Sequence, residues 1–559
     1  MKMIMDLKLE NANLINIFTS KIYKTNIFIK NGIIWGFDGN YTAKKTINCD
    51  NKFVSPSFIE GHIHLESSHV TPQQLYSHFL KNGVTTVVCD PHEIANVAGV
   101  EGIKFLINRT RKLPIDFYFQ APSCVPASSL ETVHEDLGID KLKKLKEFPE
   151  IIGLGEIMDY PSVINKNKKI LSKIELFSGM LIDGHAPGLS GKKLDSYIRH
   201  GIYSDHECVG IDEAKEKMQK GMHIMIREGS SAKNMDLIKL INNKNDDRFM
   251  LVTDDISPKD LYNGNFILDK MKNSVEKYDI DPILLLKGMT YNPANFFRFK
   301  KKGGVAPGYI ADLAIFDDIK TFKLNTVIKN GKILYENGKI AFQETNTQKT
   351  YIKKNNFKIK KFNPDDFKIK DKNKKIRIIK LIENNIITDE EKIKLESKNG
   401  YLKTSVDNDI IKLSVIERYT GNSNYSTGYI KGTNLKKGAL ASSYNHDSHN
   451  IVVVGTNDKD MAFAVNKLKS MGGGIIFVFN QNVIEKIPLP IYGIMSNELL
   501  KKIANRYENL EKKLKQNGVK LKNPLSTLSF LALSVIPKLK INDRGLIDVD
   551  NFQVVDLYV

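Results

Sequence analysis

Apolar and polar positions divide the chain into stretches with different periods. From residue 7 to 50, short alternating runs such as Asn26-Ile27-Phe28-Ile29-Lys30 and Ile33-Ile34-Trp35-Gly36-Phe37 are broken by Asn31-Gly32 and Asp38-Gly39, dipeptides that suit tight turns between antiparallel strands. The strand, Asn-Gly, strand signature returns at Ala311-Asp312-Leu313-Ala314-Ile315-Phe316 and across Val327-Ile328-Lys329-Asn330-Gly331-Lys332-Ile333-Leu334. Between these flanks, apolar runs alternate with amphipathic stretches of helix length. Eight runs can be counted, ending near Gly61-His62, Val87-Val88, Tyr118-Phe119, Leu154-Gly155, Ile182-Asp183, Tyr203-Ser204, Met225-Ile226 and Val252-Thr253. Repeated βα units of this kind predict a parallel sheet closed into a (β/α)8 barrel, with the two flanks pairing into a small β-sandwich.

The fold class is therefore α/β. The expected boundaries are 1–52 and 303–352 for the two parts of the sandwich, 53–302 for the barrel, 353–375 for a lysine-rich linker and 376–559 for a C-terminal α+β domain. In that last domain Ile410-Ile411-Lys412-Leu413-Ser414-Val415-Ile416 and Ile451-Val452-Val453-Val454-Gly455 read as strands, and 458–470 as a helix. Gly472-Gly473-Gly474 lacks both the Lys-Ser/Thr partner of a phosphate loop and dinucleotide spacing, so it reads as a turn opening a strand.

A length of 559 residues is too great for one core and agrees with several units. Hydrophobic and charged contents of 41% and 26% are ordinary for a folded soluble protein, and no segment approaches the roughly 20 apolar residues of a membrane span. The first ten residues carry charge too early for a secretory segment, so the protein is expected in the cytoplasm. Cys49, Cys89, Cys124 and Cys208 are too far apart for a disulfide framework or a Cys-x-x-Cys zinc site. The net charge of +19 raises the alternative of a basic nucleic-acid-binding protein. Much of the excess lies in the lysines of 353–380 and the rest is spread along solvent-facing positions, so no nucleic-acid partner and no membrane partner are expected.

Ten of the twelve histidines fall between His62 and His223. His62 and His64, at i and i+2 on a strand, point to the same face and can reach one ion. Glu156 follows the fourth run, His185 the fifth, His206 the sixth and Asp254 the eighth. Four imidazoles and two carboxylates at the mouth of a barrel suffice for two divalent metal ions: a carboxylate such as Glu156 bridges, and the pair lowers the pKa of a shared water. Asp254 then stands as proton acceptor. A mixed shell of this kind suits zinc, iron or manganese.

The pattern His62-x-His64, His185, His206 and Asp254 resembles the amidohydrolase superfamily of metal-dependent barrels. More narrowly, Gly61-His62-Ile63-His64-Leu65-Glu66-Ser67-Ser68, Asp90-Pro91-His92-Glu93, Gly184-His185-Ala186-Pro187-Gly188, Ser204-Asp205-His206-Glu207, Arg227-Glu228-Gly229-Ser230 and Thr253-Asp254-Asp255 look like the bacterial adenine deaminases. So do Asn445-His446-Asp447-Ser448-His449-Asn450 and Thr527-Leu528-Ser529-Phe530, which extends the likeness over nearly the whole chain. The resemblance implies hydrolytic deamination of adenine to hypoxanthine and ammonia in purine salvage. Hydroxide attacks C6, Asp254 moves its proton, and manganese is the metal. Glu207 either protonates N1 or orients His206, while His92, Glu93, Arg227 and Glu228 read the purine edge. The expected partner is adenine alone, and the expected assembly a homodimer. The paired His-x-Glu and Pro-Cys-x-x-Cys signature of the other zinc deaminases is absent. One departure is Gly264-Asn265, where the family carries Gly-His. The 446–449 cluster reads as a lid over the barrel mouth or a polar approach to a strand, ahead of a second metal site. The nearest rival function is another binuclear amidohydrolase acting on a cyclic amide or an N-acetyl substrate.

Overall fold

The computed structural model describes residues 3–230, 232–242, 244–264, 266–341, 357–382 and 385–559. Asn265, the end of the second sandwich segment (342–352) and the start of the linker (353–356) lie outside the described residues. Each of the eight apolar runs forms a parallel strand. Phe58–Ile63, Val84–Cys89, Asp116–Ala121, Ile151–Ile157 and Leu181–Gly184 are hydrogen-bonded in that order, and Ser204–Asp205, His223–Arg227 and Phe249–Val252 form the remaining arc. One seam closes through a parallel bridge between Ile63 and Asp254, where the Asp254 N–H donates to His62 O at 2.9 Å. At the other seam the Gly184 N–H donates to Ser204 Oγ at 3.1 Å. A Cβ on Gly184 would lie 2.0 Å from the Ser204 carbonyl, so only glycine lets the fifth and sixth strands approach this closely. Val88, Met225, Met250, Val252, Phe296 and Phe297 fill the interior below the mouth, as expected of a barrel with a packed core rather than a pore.

The two flanks build a single nine-stranded sheet. Phe53–Pro56 lies between Ile4–Asn16, which it pairs in parallel, and Leu313–Asp318, which it pairs antiparallel with Val54 opposite Ile315. The sheet folds back on itself where the Ile34 N–H donates to Tyr309 O at 2.9 Å, enclosing Leu9, Leu14, Ile27, Ile29, Leu313 and Ile328. This layer is fastened to the barrel by a buried ionic cluster. Lys302 and Lys329 each approach both Asp116, which opens the third barrel strand, and Asp312, at distances of 2.6 to 2.9 Å. The lysines are 7% and 3% exposed. Removing one carboxylate leaves two ammoniums sharing one partner, and an uncompensated buried charge costs about 3–5 kcal/mol. Asp312→Ala is therefore expected to lower the melting temperature by several degrees in a calorimetric scan; an unchanged transition would show that the cluster adds nothing.

The C-terminal domain is an eight-stranded sheet in which Ile410–Ile416, Ile451–Gly455, Ala439–Ser442 and Gly474–Phe479 are successive neighbours. Helix Asp458–Met471 packs Met461, Val465 and Leu468 on one face of it. Leu413, Leu440, Val452 and Ile475, on the opposite face, join the large core that also contains the barrel helices. Gly472 caps that helix with φ 77°, and Gly474 begins the next strand, which makes the triple glycine a turn. The described part of the expected linker, 357–375, is no free spacer. Phe357, Ile359, Phe362 and Phe367 are buried against the helix while the intervening lysines face outward, so the stretch is a strap on the domain.

Candidate metal centre and substrate site

The strand ends bring His62, His64, Glu156, His185, His206 and Asp254 together. The donor atoms fall into groups lying within 4.8 Å of one another: His62 with His64 and Glu156, His62 with His206 and Asp254, and Glu156 with His185 and His206. Glu156, His62 and His206 each belong to two of these groups, and Glu156 to a further one with Asp90 and His92. Glu156 Oε1 lies 3.5 Å from His64 Nε2, and its Oε2 lies 3.2 Å from His206 Nε2 and 2.5 Å from His185 Nδ1. Asp254 Oδ1 lies 3.1 Å from His64 Nε2 and 3.8 Å from His62 Nε2. The His62 and His206 rings stack at 4.2 Å.

Neighbouring groups fix how these rings point. His62 Nδ1 meets Asp183 Oδ2 at 3.0 Å and His64 Nδ1 meets the Asp90 carbonyl at 2.8 Å, leaving both Nε2 atoms for the centre. The His62 Nε2 is buried without a hydrogen-bond partner among the described residues. An aza nitrogen so placed, among two carboxylates and three further imidazoles, fits a divalent cation. The loops carrying His185 and His206 are held by buried Lys217, whose Nζ lies 2.9 Å from Asp205, while Asp205 accepts the Ala186 N–H at 2.8 Å. Asp90 accepts the Glu156 N–H at 2.9 Å. Asp90, Asp183, Asp205 and Lys217 were absent from the expected site; Asp183 and Asp205 stand within two residues of a candidate ligand, Asp90 directly follows the second barrel strand and Lys217 lies on the helix after His206, the only signals that could have singled them out.

Burial alone would raise the Glu156 carboxyl, but the fields of His206 and His185 outweigh it and hold it well below the usual carboxylate range. Asp254 is likewise raised by burial and brought well below that range by Arg227 and His64. Both are thereby held as anions, the form that binding a cation or accepting a proton would require.

The four expected purine readers are placed differently from one another. His92 sits at the cage itself, with Nδ1 3.4 Å from Glu156 Oε1 and its ring 4.4 Å from that of His64. Arg227 is occupied: its Nη1 donates to Asp254 Oδ2 at 2.7 Å and its Nη2 to Glu207 Oε2 at 2.7 Å, so it clamps two carboxylates instead of presenting an open edge. Glu207 also lies 3.7 Å from His206 Nε2. Glu93, fully buried, has His446 Nδ1 at 2.5 Å on one oxygen and His449 Nε2 on the other. Glu228 does not reach the mouth. It is the first residue past the strand that ends at inward-facing Arg227, and its side chain lines a separate small cavity with Lys270, Met235 and Met271. The pairing of Glu93 with His446 and His449 means that the C-terminal domain covers the barrel mouth; the 446–449 segment is a lid.

Residues 53–334 match the amidohydrolase family, and residues 385–553 match the adenine deaminase C-terminal domain. Adenine deaminase 2 of Carboxydothermus hydrogenoformans is 42% identical over 98% of this chain and 96% of its own length. The adenine deaminases of Thermosipho melanesiensis and Kosmotoga olearia are 41% and 40% identical, each over 99% of this chain and 97% and 96% of their own lengths. The chain belongs to the adenine deaminase family. For this adenine deaminase family member the second match covers the domain that supplies the lid, so the family likeness extends to both walls of the site. A crystal structure of an adenine deaminase is 19% identical, with a TM-score of 0.45 over 60% of this chain and all of that one.

Proposed function

We propose that the chain hydrolyses adenine to hypoxanthine and ammonia. The observation that carries this is the double set of donors around Glu156, with Asp254 beside it, in a chain whose relatives are named adenine deaminases over their whole length. His62, His64, Glu156, His185, His206 and Asp254 would hold two divalent ions, which when bound supply an activated water for addition to C6 at neutral pH. Manganese is the proposed metal; iron and zinc suit the same mixed donors. Asp254 accepts the proton of that water at Oδ1, because Oδ2 is engaged by Arg227. The same guanidinium holds Glu207 beside the cage, from where its carboxyl would deliver a proton to N1. Asp254 returns its proton to the departing amine, and the hydroxyl left on C6 gives up its proton to restore Glu207 as the C6 carbonyl forms. One water is consumed, the C6–N bond breaks, and ammonia leaves. His92 at the cage rim contacts the purine, and Glu93 acts on the site through the lid.

Four cysteines, all buried and free, accord with a reducing compartment, and the proposal is a cytoplasmic enzyme of purine salvage working as a homodimer. No helix among the described residues is long and apolar enough to cross a membrane. The test is an assay of purified, manganese-loaded protein with adenine, following hypoxanthine by chromatography and ammonia by a coupled reaction. Both products in equal amounts support the proposal. Ring opening of a cyclic amide, or release of acetate from an N-acetyl compound, with adenine untouched would replace it by the rival amidohydrolase reading.

A further inference from the structure

A cavity lies between the barrel mouth and the C-terminal domain, lined by Ser67, Ser230 and Asp255 from the barrel and by Tyr444, His446 and Ser529 from the lid side. His446 lines this cavity and reaches toward the cage by way of Glu93, which neighbours His92 at the cage. Its ring is stacked on Phe530 at 4.3 Å and 13°, and meets Tyr444 edge-on at 5.3 Å and 78°. Packed on these sides, the imidazole is oriented before any substrate arrives, so little freedom is lost when it makes a contact. Its Nδ1 lies 2.5 Å from Glu93 Oε1, and its Nε2 lies 3.9 Å from Asp255 Oδ2, too far for a hydrogen bond. An imidazole set between two carboxylates carries protons on both nitrogens. The Nε2–H is thus a donor, with Asp255 beside it as acceptor; Asp255 Oδ1 is buried and has no hydrogen-bond partner among the described residues.

A donor and an acceptor side by side complement an edge on which a lone-pair nitrogen adjoins an N–H. Once C6, its amine and N1 of adenine face the cage, the N3 and N9–H edge is the one that offers this pair. We propose that His446, brought by the C-terminal domain, is a substrate-contacting residue whose Nε2–H is donated to N3 of the purine base, with Asp255 accepting the N9–H. The lid is then one wall of the substrate pocket, and the pocket is built for a free base, because a substituent at N9 removes the donor that Asp255 requires. This inference rests on the adenine deaminase reading given above.

The test compares adenine with 3-deazaadenine, which lacks the N3 lone pair, on the manganese-loaded parent and on His446→Ala. A donor left unpaired by the analogue makes the parent prefer adenine by about 10- to 100-fold in kcat/KM. In the variant, KM for adenine rises, kcat/KM falls by a similar factor, and the preference for adenine over the analogue shrinks to within about 3-fold, as a double-mutant cycle requires of two groups in contact. Because the preference is a ratio, it does not depend on how much of the variant is folded; His446→Phe, which keeps the stacked ring but has no donor, supplies the same ratio should the alanine variant not fold. A parent that does not discriminate, or a variant that keeps the parent's ratio, overturns the contact. Parent protein that releases no ammonia from adenine fails the functional reading instead, so the two failures are distinguishable.

Discussion

Asp254→Asn is expected to lower kcat for adenine by about three to four orders of magnitude, the scale of a lost general base at an activated water. The residue is joined to three other parts of the site at once. Oδ1 faces His64 Nε2 at 3.1 Å, Oδ2 accepts from Arg227 at 2.7 Å, and the backbone N–H closes the barrel on His62 O. Asparagine keeps the shape and the backbone bridge. It removes the negative charge, and an amide cannot take the proton. It also leaves Arg227 with Glu207 as its one anionic partner, so Glu207 is held more tightly and its proton delivery is slowed as well. The measurements are steady-state kinetics with metal analysis on the same preparation. If metal content stays at the parent's level and kcat collapses, the loss belongs to proton transfer. Should kcat remain within 10-fold with metal bound, Asp254 is no proton acceptor and the acid–base assignment must move to Glu207 or His92.

The core of the cage was readable because strand periodicity and ligand chemistry point to the same positions. His62 and His64 share a face by the two-residue repeat, and His185, His206 and Asp254 each follow a countable apolar run. The end of the seventh strand shows why Glu228 was misplaced. Glu228 directly follows Arg227, the last residue of its strand, and next to an inward-facing Arg227 it is turned away from the mouth. Arg227 was read as an open reader since a charge at a strand end gives no sign of its partner; that partner, Glu207, belongs to a different strand end. Asp183 and Asp90 were missed for a related reason, as orienting a ring from behind requires proximity in space and no particular spacing. The lid was only half legible. The 446–449 string showed its histidines, but nothing in a linear pattern joins them to Glu93, a residue of the barrel. In the 357–375 strap the lysines dominated the composition and concealed Phe357, Ile359, Phe362 and Phe367, whose burial decides the structure. Charge density reports which face is wet, and one wet face is compatible with a packed other face.

Metal removal is expected to abolish activity and to lower thermal stability together. The cage gathers His62, His64, Glu156, His185, His206 and Asp254 in a region where most are nearly inaccessible to water, and two of them are carboxylates. In the absence of cations the anions are balanced by imidazoles, and the His62 Nε2 is left without a hydrogen-bond partner. A cation that binds the folded cage and not the unfolded chain adds RT ln(1 + [L]/Kd), about 2.7 kcal/mol per site at a free concentration a hundred times Kd. Two sites occupied independently roughly double that. Dialysis against a chelator should therefore bring deamination to background and shift the melting transition down by several degrees. Added manganese should restore both, each rising with the metal bound per chain up to two. Zinc is expected to bind at least as tightly by the general affinity order of divalent ions, so a comparison of the two refilled proteins separates affinity from turnover. The same titration on Glu156→Gln should show markedly weakened binding, because this carboxylate has one oxygen toward His64 and the other toward His185 and His206 and so stands between donors of both sides of the cage. Protein shown by elemental analysis to hold no transition metal, yet still deaminating adenine at the parent's rate, would remove the ions from the chemistry and leave the cage a structural network of ion pairs.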